Sequence, residues 1–240
     1  MFFRALLDII YPPLCHVCKT YIPEPGSIHI CTACAEKIVP VVSPRCTVCG
    51  IPFNTGDGID HVCGACATSP RPFVSARAAV RFGGPAQELI HRLKYGKKVH
   101  LSRPLGLIAV GHLAGFLEET GVEMIVPVPL HVKRLRERGF NQAVLLAGYL
   151  ARSRRIPISR NNLRRIRWTE PQVSLSPEER VKNVRGAFAV KKPGLFEGRK
   201  LVLVDDVYTT GSTVSECARV LKRAGAGEVY VATVARAVFD

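Results

Sequence analysis

The stretch that decides the fold runs from residue 201 to residue 213: Leu-Val-Leu-Val-Asp-Asp-Val-Tyr-Thr-Thr-Gly-Ser-Thr. Its apolar start predicts a buried strand, and the residues that follow it predict a helix. Asp205 and Asp206 come at the end of the strand, where open parallel sheets place their ligands. The hydroxyl residues and Gly211 then bring backbone N–H groups to a helix N-terminus, which favours an anion. A Gly-Ser-Thr turn alone predicts only a helix cap, but the adjoining acids favour a ligand with a phosphate and a sugar diol.

Outward from this stretch, predicted strands alternate with predicted helices. Strands are predicted at 73–82 (as an exposed edge), 124–128, 187–190, 201–205 and 228–236, and helices at 86–94, 104–118, 141–152 and 213–224. A further helix begins at the capping box Ser176-Pro-Glu-Glu179. Residues 159–176 are polar and basic and predict a strand edge with a long mobile loop. The alternation predicts an α/β fold with a mostly parallel sheet and flanking helices.

Eight of the nine cysteines form four C-x-x-C pairs in the first 66 residues. The pairs are Cys15/Cys18, Cys31/Cys34, Cys46/Cys49 and Cys63/Cys66. One such turn presents two thiolates to a tetrahedral metal ion, and two turns complete a four-sulfur zinc site. Eight thiolates therefore predict about two structural zinc ions, and we expect this segment to fold only with metal bound.

The spacing leaves the pairing of the four turns open. Sequential ribbons, in which the first turn joins the second and the third joins the fourth, are favoured over a cross-braced arrangement. Disulfide bonds are the less favoured alternative, because nothing in the sequence indicates secretion. His16 and His61 lie beside ligands and are expected outside the metal coordination. Cys217, alone in a predicted helix, is expected to be a small buried apolar residue.

Composition changes near residue 70. Residues 1–70 hold four Lys or Arg and five Asp or Glu, whereas the whole chain has a formal net charge of +15. The positive charge therefore lies in residues 71–240, and such a surface attracts phosphates and polyanions. We predict two domains, a cysteine-rich double zinc-binding module at 1–70 and an α/β domain at 71–240.

The first fourteen residues, MFFRALLDIIYPPL, are apolar but are interrupted by Arg4 and Asp8. The run is too short for a membrane span, and no small-residue cleavage site follows it. We expect a short amphipathic helix packed on the body of the protein, no transmembrane segment and a cytoplasmic location.

Residues 201–213 closely resemble the motif with which type I phosphoribosyltransferases bind 5-phosphoribosyl pyrophosphate (PRPP). The resemblance implies that Asp205 and Asp206 face the ribose hydroxyls, directly or through magnesium, and take part in any transfer reaction. It also implies that the residues after them wrap the 5′-phosphate. These residues are Tyr208, Thr209, Thr210, Gly211, Ser212 and Thr213.

Together with the cysteine-rich segment, the residues before this motif resemble the ComF family of competence-associated, phosphoribosyltransferase-like proteins, which includes GntX. The resemblance rests on VPVPLH at 126–131, KRLRERGFNQ at 133–142 and TEPQ at 169–172, with Glu179, Arg180 and Asn183. It implies a pyrophosphate-binding loop after Val128, with Lys133 and Arg134 as contacts. It also implies a flexible catalytic loop at 164–169 in which Arg165 and Thr169 act on the pyrophosphate.

Three functions remain open: a magnesium-dependent transferase acting on PRPP, a protein that handles imported single-stranded DNA with competence proteins, and a PRPP sensor. Residues 152–167 contain seven arginines beside Trp168, and cationic grooves with stacking aromatic rings suit single strands. The same cations suit the phosphates of PRPP. Because Asp240 closely follows the last predicted strand, we expect no C-terminal hood that selects a nucleobase and weak turnover with free bases.

Overall fold

The computed structural model describes residues 12–24, 26–54, 58–169 and 176–238. The described strands are β1 (Ala76–Arg81), β2 (Met124–Pro127), β3 (Leu163–Arg165), β4 (Phe188–Val190), β5 (Leu201–Tyr208) and β6 (Val229–Arg236). The described helices are α1 (Thr32–Ala35), α2 (Gly64–Thr68), α3 (Gly84–Lys94), α4 (Ser102–Thr120), α5 (Val132–Arg138), α6 (Gln142–Arg154), α7 (Pro177–Val184) and α8 (Ser212–Arg223). Short 3-10 turns lie at Val99–Leu101 and Pro193–Leu195. Most of the helix expected in the first fourteen residues lies outside the described residues, as does 170–175 of the expected mobile loop.

A parallel sheet in the order β1-β6-β5-β2 forms the centre of the protein. β5 pairs with β6 from Leu201 opposite Val229 to Tyr208 opposite Arg236. β3 and β4 form a separate antiparallel pair. Parallel neighbours require crossover connections, and helices supply them here. The sheet confirms the predicted α/β architecture.

Two apolar clusters cover the two faces of the sheet. The first apolar cluster joins Val202 and Val204 of β5 to α4 and α6. The second apolar cluster joins Leu201 and Leu203 to α8. Since successive residues of a strand point to opposite faces, this alternation places helices on both sides. Cys217 of α8 is fully buried in the second cluster, which confirms the prediction that it is a small buried apolar residue.

The predicted exposed edge at 73–82 is wrong in one respect. β1 is the edge strand of the parallel sheet, but Ala79 and Val80 are fully buried. Residues 39–41 pair with its free edge: the Val41 N–H donates to Ala79 O at 3.0 Å, and the Arg81 N–H donates to Val39 O at 2.8 Å. The cysteine-rich segment thus covers an edge that would otherwise present unpaired backbone groups.

The cysteine-rich residues pack into the same two clusters as the sheet. Cys15 and Cys34 join the first cluster, whereas Cys46, Cys49 and Cys66 join the second. Each half of this segment therefore covers a different face of the sheet. The domain boundary at residue 70 stays a prediction.

Of the local predictions for helices, one was confirmed and one helix was missed. The capping box at the start of α7 is confirmed, since Ser176 and Glu179 exchange hydrogen bonds between side chain and backbone. Helix α5 was not predicted, because its basic sequence has no apolar period. No helix in the described parts of the chain is both long and apolar enough to cross a membrane.

Candidate functional site

A cavity of about 470 Å³ opens where β2 and β5 end. The charged side chains that line it are Lys94, Arg134, Arg138, Arg165, Arg180, Asp205 and Asp206. Residues 207–209 and 211–214 complete the wall that follows β5. This is the carboxyl edge of the parallel sheet, where α/β proteins place their ligands. The strand β5 extends past its predicted end to Tyr208, so both acids lie within it.

Asp206 is almost fully buried and is ion-paired with a lysine from α3. Its Oδ1 lies 2.8 Å from Nζ of Lys94, and the side chain of Asp206 is 5% exposed. Its Oδ2 is buried, and none of the described residues donates a hydrogen bond to it. A buried carboxylate oxygen without a donor is costly. This oxygen is therefore the atom of the site best placed to accept a hydroxyl group or a cation.

Asp205 has an unusually weak acid group. Burial, with the charge of the neighbouring Asp206, raises the pKa of Asp205 to about 7, against the opposing charges of Lys94 and Arg165. Its Oδ1 accepts a hydrogen bond from the Asp206 N–H at 2.9 Å. Two adjacent carboxylates share one proton more readily than they hold two charges. The site therefore takes up or releases a proton near neutral pH.

The loop between β5 and α8 turns at a glycine in the left-handed backbone region. Gly211 has φ +79°, and a Cβ at this position would collide with the Tyr208 ring. Gly211 is also the N-cap of α8, a 12-residue helix. The positive end of the helix dipole and the first N–H groups therefore face the cavity. Thr210 and Ser212 bond each other through their hydroxyl oxygens at 2.8 Å.

The expected pyrophosphate contacts are only partly brought together. Arg134 and Arg165 line the cavity. Thr169 is buried and accepts a hydrogen bond from Arg165, but it does not line the cavity itself. Lys133 is exposed, and its Nζ lies 5.7 Å from the centre of the Trp168 ring. Lys133 is not among the residues that line the cavity.

Sequence reasoning gave no site role to three cations of the cavity, which are Lys94, Arg138 and Arg180. Arg138 is 8% exposed and donates to Gln142 Oε1 at 2.5 Å. Lys94 reaches Asp206 from a helix that precedes it by more than 100 residues. The Arg-Gly end of a basic segment was a weak signal for Arg138. No local pattern marks Lys94.

Each set of four sulfurs forms one compact cluster. The Sγ atoms of Cys15, Cys18, Cys31 and Cys34 all lie within 4.8 Å of one another, as do those of Cys46, Cys49, Cys63 and Cys66. We call these the first ribbon and the second ribbon. The sequential pairing is therefore confirmed, and the cross-braced alternative is excluded.

The surroundings of the sulfurs suit zinc. In the second ribbon, Sγ of Cys46 accepts N–H bonds from Cys49 at 3.4 Å and from Cys63 at 3.3 Å. Although burial opposes them, these N–H groups lower the pKa of Cys46 to about 6. A thiolate is the form that binds metal. In the first ribbon, Cys15 accepts N–H bonds from Val17 and Cys31 in the same way. Four sulfurs at each site leave no open position, as in structural zinc sites.

Comparisons with known proteins cover both parts of the chain. A family model described as a double zinc ribbon domain matches residues 6–67. A model described as a phosphoribosyl transferase domain matches residues 141–238. The protein therefore combines a phosphoribosyltransferase-like α/β fold with an N-terminal double zinc ribbon.

Three relatives show where this combination occurs. The chain is 32% identical over 223 residues to DNA utilization protein YhgH of Escherichia coli strain K12, covering 92% of this chain and 95% of that protein. It is 38% identical over 158 residues to competence protein F of Haemophilus influenzae, covering 64% and 69%. It is 38% identical over 102 residues to competence protein ComFC of Bacillus subtilis, covering 42% and 39%. The chain therefore belongs to the ComF family, together with competence protein F and the DNA utilization protein YhgH.

Proposed function

We propose that this protein binds PRPP, or a related phosphosugar, in the cavity at the end of β5 and acts in the utilisation of DNA. The observation that carries the proposal is that one cavity holds a paired-acid strand end, a helix N-terminus and several arginines. The role in DNA utilisation rests on the names of the relatives at 32% and 38% identity.

The parts of the cavity match the parts of the ligand. The 5′-phosphate lies against the N–H groups at the start of α8, where Gly211 lets the backbone approach. The ribose hydroxyls lie at Asp205 and Asp206. Arg134, Arg138 and Arg165 face the pyrophosphate. One guanidinium group can donate two parallel hydrogen bonds to two oxygens of a phosphate, which makes arginine suited to this ligand.

Magnesium fits the acidic part of the cavity. The ion prefers oxygen ligands, commonly one or two carboxylates with substrate phosphates. Asp205 and Asp206 offer such oxygens, among them the buried Oδ2 of Asp206 that none of the described residues bonds. When bound, the ion would supply positive charge beside the pyrophosphate. Lys94 already supplies one such charge at Asp206.

Calorimetry with PRPP and magnesium chloride tests the proposal. Asp206→Asn should weaken binding at least tenfold, about 1.4 kcal/mol, because it removes charge where the diol or the ion binds. Glu88→Gln is the control, since Glu88 lies on the same helix as Lys94 but pairs with Arg92 and does not line the cavity. Equal affinity of Asp206→Asn and wild type would contradict the assignment of the ribose site.

Transfer is a separate property from binding. A transferase releases pyrophosphate only when an acceptor attacks the ribose, whereas a sensor binds PRPP without releasing it. Pyrophosphate release should therefore be followed with PRPP alone and with a panel of nucleobases. We expect binding without strong turnover on free bases. Rapid release with one base would establish a transferase instead.

A second function, the binding of single-stranded nucleic acid, is favoured by the surroundings of Trp168. The ring lies 5.4 Å from His131, 5.3 Å from the guanidinium of Arg134 and 5.7 Å from Nζ of Lys133. Arg164 is exposed nearby on β3. A base of a single strand can stack on such an aromatic ring while the neighbouring cations bind the phosphate of the same nucleotide. The patch lies at the rim of the cavity, because Arg134 belongs to both.

Anisotropy of a labelled thymidine oligonucleotide across a salt series tests this second function. Trp168→Ala should weaken binding by about 1–3 kcal/mol for the stacked base. Lys133→Gln should reduce the salt slope by about one unit. Arg223→Gln, at the far end of α8, is the matched control for a lost surface charge. Binding that is absent, or that does not depend on salt, would exclude the nucleic-acid role.

A further inference from the structure

Arg236, the last residue of β6, is a buried cation that joins two sites. Its Nη1 donates to the carbonyl oxygens of Tyr208 at 3.1 Å and Ala237 at 3.2 Å, and also to that of Thr209. Its Nη2 donates to Sγ of Cys49 at 3.8 Å. Arg236 is 6% exposed and is not part of the cavity wall. One guanidinium thus holds the start of the phosphate loop and a ligand of the second ribbon.

The position of Tyr208 makes this contact important for the loop. The guanidinium of Arg236 lies 4.1 Å from the centre of the Tyr208 ring. The ring itself lies beside Gly211, where a Cβ would collide with it. Arg236 therefore fixes the two peptide groups that begin the loop and the ring that supports its glycine.

The second ribbon supplies the negative charge that this arginine needs. A buried cation is costly unless it is paired. Among the described residues no carboxylate lies within ion-pair distance of Arg236. Four thiolates around one zinc ion leave a net negative charge, and donors to the sulfurs stabilise such sites. Arg71 interacts with Cys66 of the same ribbon, so two arginines lie between this ribbon and Tyr208.

We propose that Arg236 is a positioning residue that couples the zinc-bound second ribbon to the conformation of the phosphate loop at 208–213. When zinc is lost, Arg236 loses the anionic four-sulfur site as its partner. The guanidinium then turns away, and the carbonyl groups of Tyr208 and Thr209 lose their donor. The proposal rests on the proposed function only in that the loop binds a phosphate.

Coupling of this kind acts in both directions. If zinc binding raises the affinity of the loop for a phosphate ligand by some factor, then that ligand must raise the affinity of the second ribbon for zinc by the same factor. We expect ribose 5-phosphate at saturation to raise the zinc affinity of the second ribbon by about fivefold or more. The zinc affinity of the first ribbon should not change. Competition with a metallochromic dye measures both affinities in the full chain.

Arg236→Lys and Arg77→Lys form a matched pair of variants. Arg77 of β1 also ties the second ribbon to the sheet, because its Nη1 donates to Thr47 O at 3.0 Å, but among the described residues it bonds neither a cysteine sulfur nor the loop. Lysine keeps the positive charge but has no second nitrogen, so it cannot bond the loop carbonyls and the sulfur of Cys49 at the same time. Arg236→Lys should abolish the rise in zinc affinity that the ligand causes, and Arg77→Lys should retain it. A full rise in Arg236→Lys would overturn the proposal.

Hydrogen exchange of the wild type gives a test that needs neither a variant nor a ligand. Removal of zinc from the second ribbon should speed exchange of the amides at 208–213 several-fold, and unchanged exchange there would overturn the coupling. Failure of the proposed function is distinguishable from this outcome. A loop that responds to zinc in a protein that does not bind PRPP leaves the coupling in place and removes only the assigned ligand.

Discussion

The two ribbons have the same four-sulfur chemistry but are connected to different elements around the cavity. The first ribbon is tied to α3, because Nη1 of Arg92 donates to His16 O at 2.8 Å. Two residues later, Lys94 of this helix pairs with Asp206. The second ribbon is tied through Arg236 to the phosphate loop. The second ribbon thus reaches the phosphate loop through a single side chain, whereas the first ribbon reaches only the helix that carries Lys94.

A glycine in each ribbon allows the largest test of this difference. Gly50 has φ +67°, and a Cβ there would lie 2.5 Å from Ala76 O of β1. Gly26 has φ +55° and nothing within 4 Å of a Cβ. Gly26→Ala should cost about 1–2 kcal/mol, for the left-handed backbone alone. Gly50→Ala should cost about 3 kcal/mol or more, because the backbone clash adds to that strain.

Chemical denaturation of the two zinc-loaded variants measures these costs. The zinc content of each variant shows whether the loss is confined to one ribbon. Equal destabilisation by Gly50→Ala and Gly26→Ala would show that the second ribbon does not press on β1 as the structure indicates.

Removal of one pair of sulfurs from each ribbon gives the next largest contrast. Cys18 and Cys31 have Sγ atoms 3.6 Å apart, and those of Cys49 and Cys63 are 3.7 Å apart. Either double serine variant should lower the zinc content from about two to about one per chain. Loss of the second ribbon should weaken PRPP binding by about tenfold or more, whereas loss of the first should change it far less.

Elemental analysis and calorimetry on the same samples check this contrast. If both double variants lose PRPP binding equally, the ribbons act through overall stability rather than through separate contacts. If neither loses it, the contact between Cys49 and Arg236 has no influence on the loop.

Local patterns in the sequence were sufficient to predict the two four-sulfur clusters and most of the strands and helices. The two sulfurs of a C-x-x-C turn are close in the chain, so their spacing carries the geometry of the site. The strand at β5 and the capping box at Ser176 are local for the same reason. Pairing of residues 39–41 with β1 was missed, because the partner of an edge strand depends on distant segments.

The connections within the site were beyond sequence reasoning. Arg236 and Cys49 are separated by 187 residues. Lys94 likewise reaches Asp206, and Arg138 reaches the same cavity, only through the packing of three separate elements. Single cations carry no period and no motif, so only the folded chain shows which carboxylate or sulfur each one meets. The roles of Asp205, Asp206 and the loop residues stay predictions from the motif.

Binding at Asp205 and Asp206 should show a pH dependence that binding at the phosphate loop lacks. Asp205 has a pKa raised to about 7, so its carboxyl is largely protonated at pH 6 and largely ionised at pH 8. A magnesium ion or a diol binds the ionised form better. PRPP affinity should therefore rise with pH and fall by up to about tenfold per unit below the pKa.

Lys94→Met should move this inflection to higher pH, because the charge of Lys94 lowers the pKa of Asp205. Lys98→Met is the control for a surface lysine beyond the same helix. Arg236→Lys should weaken binding at every pH and leave the inflection in place. Calorimetry at five pH values distinguishes these results. A flat profile in the wild type would show that Asp205 does not take part in binding.

The smallest effect is expected where the first ribbon meets α3. Arg92 forms an ion pair with Glu88 at 2.6 Å, four residues earlier on the helix, and its side chain is 32% exposed. Such a surface pair contributes about 0.2–1 kcal/mol, and the bond to His16 O about 1 kcal/mol. Arg92→Gln should therefore destabilise the protein by about 1–2 kcal/mol and leave two zinc ions in place.

PRPP affinity of Arg92→Gln should stay within about threefold of wild type, because Lys94 is held by its own pair with Asp206 and not by the ribbon. Glu88→Gln removes the ion pair but keeps the bond to His16, so the difference between the two variants isolates the contact with the ribbon. A tenfold loss of affinity in Arg92→Gln alone would mean that the first ribbon also positions part of the site. Both ribbons would then influence PRPP affinity, and they would differ only in the residue through which they act, Arg92 for the first ribbon and Arg236 for the second.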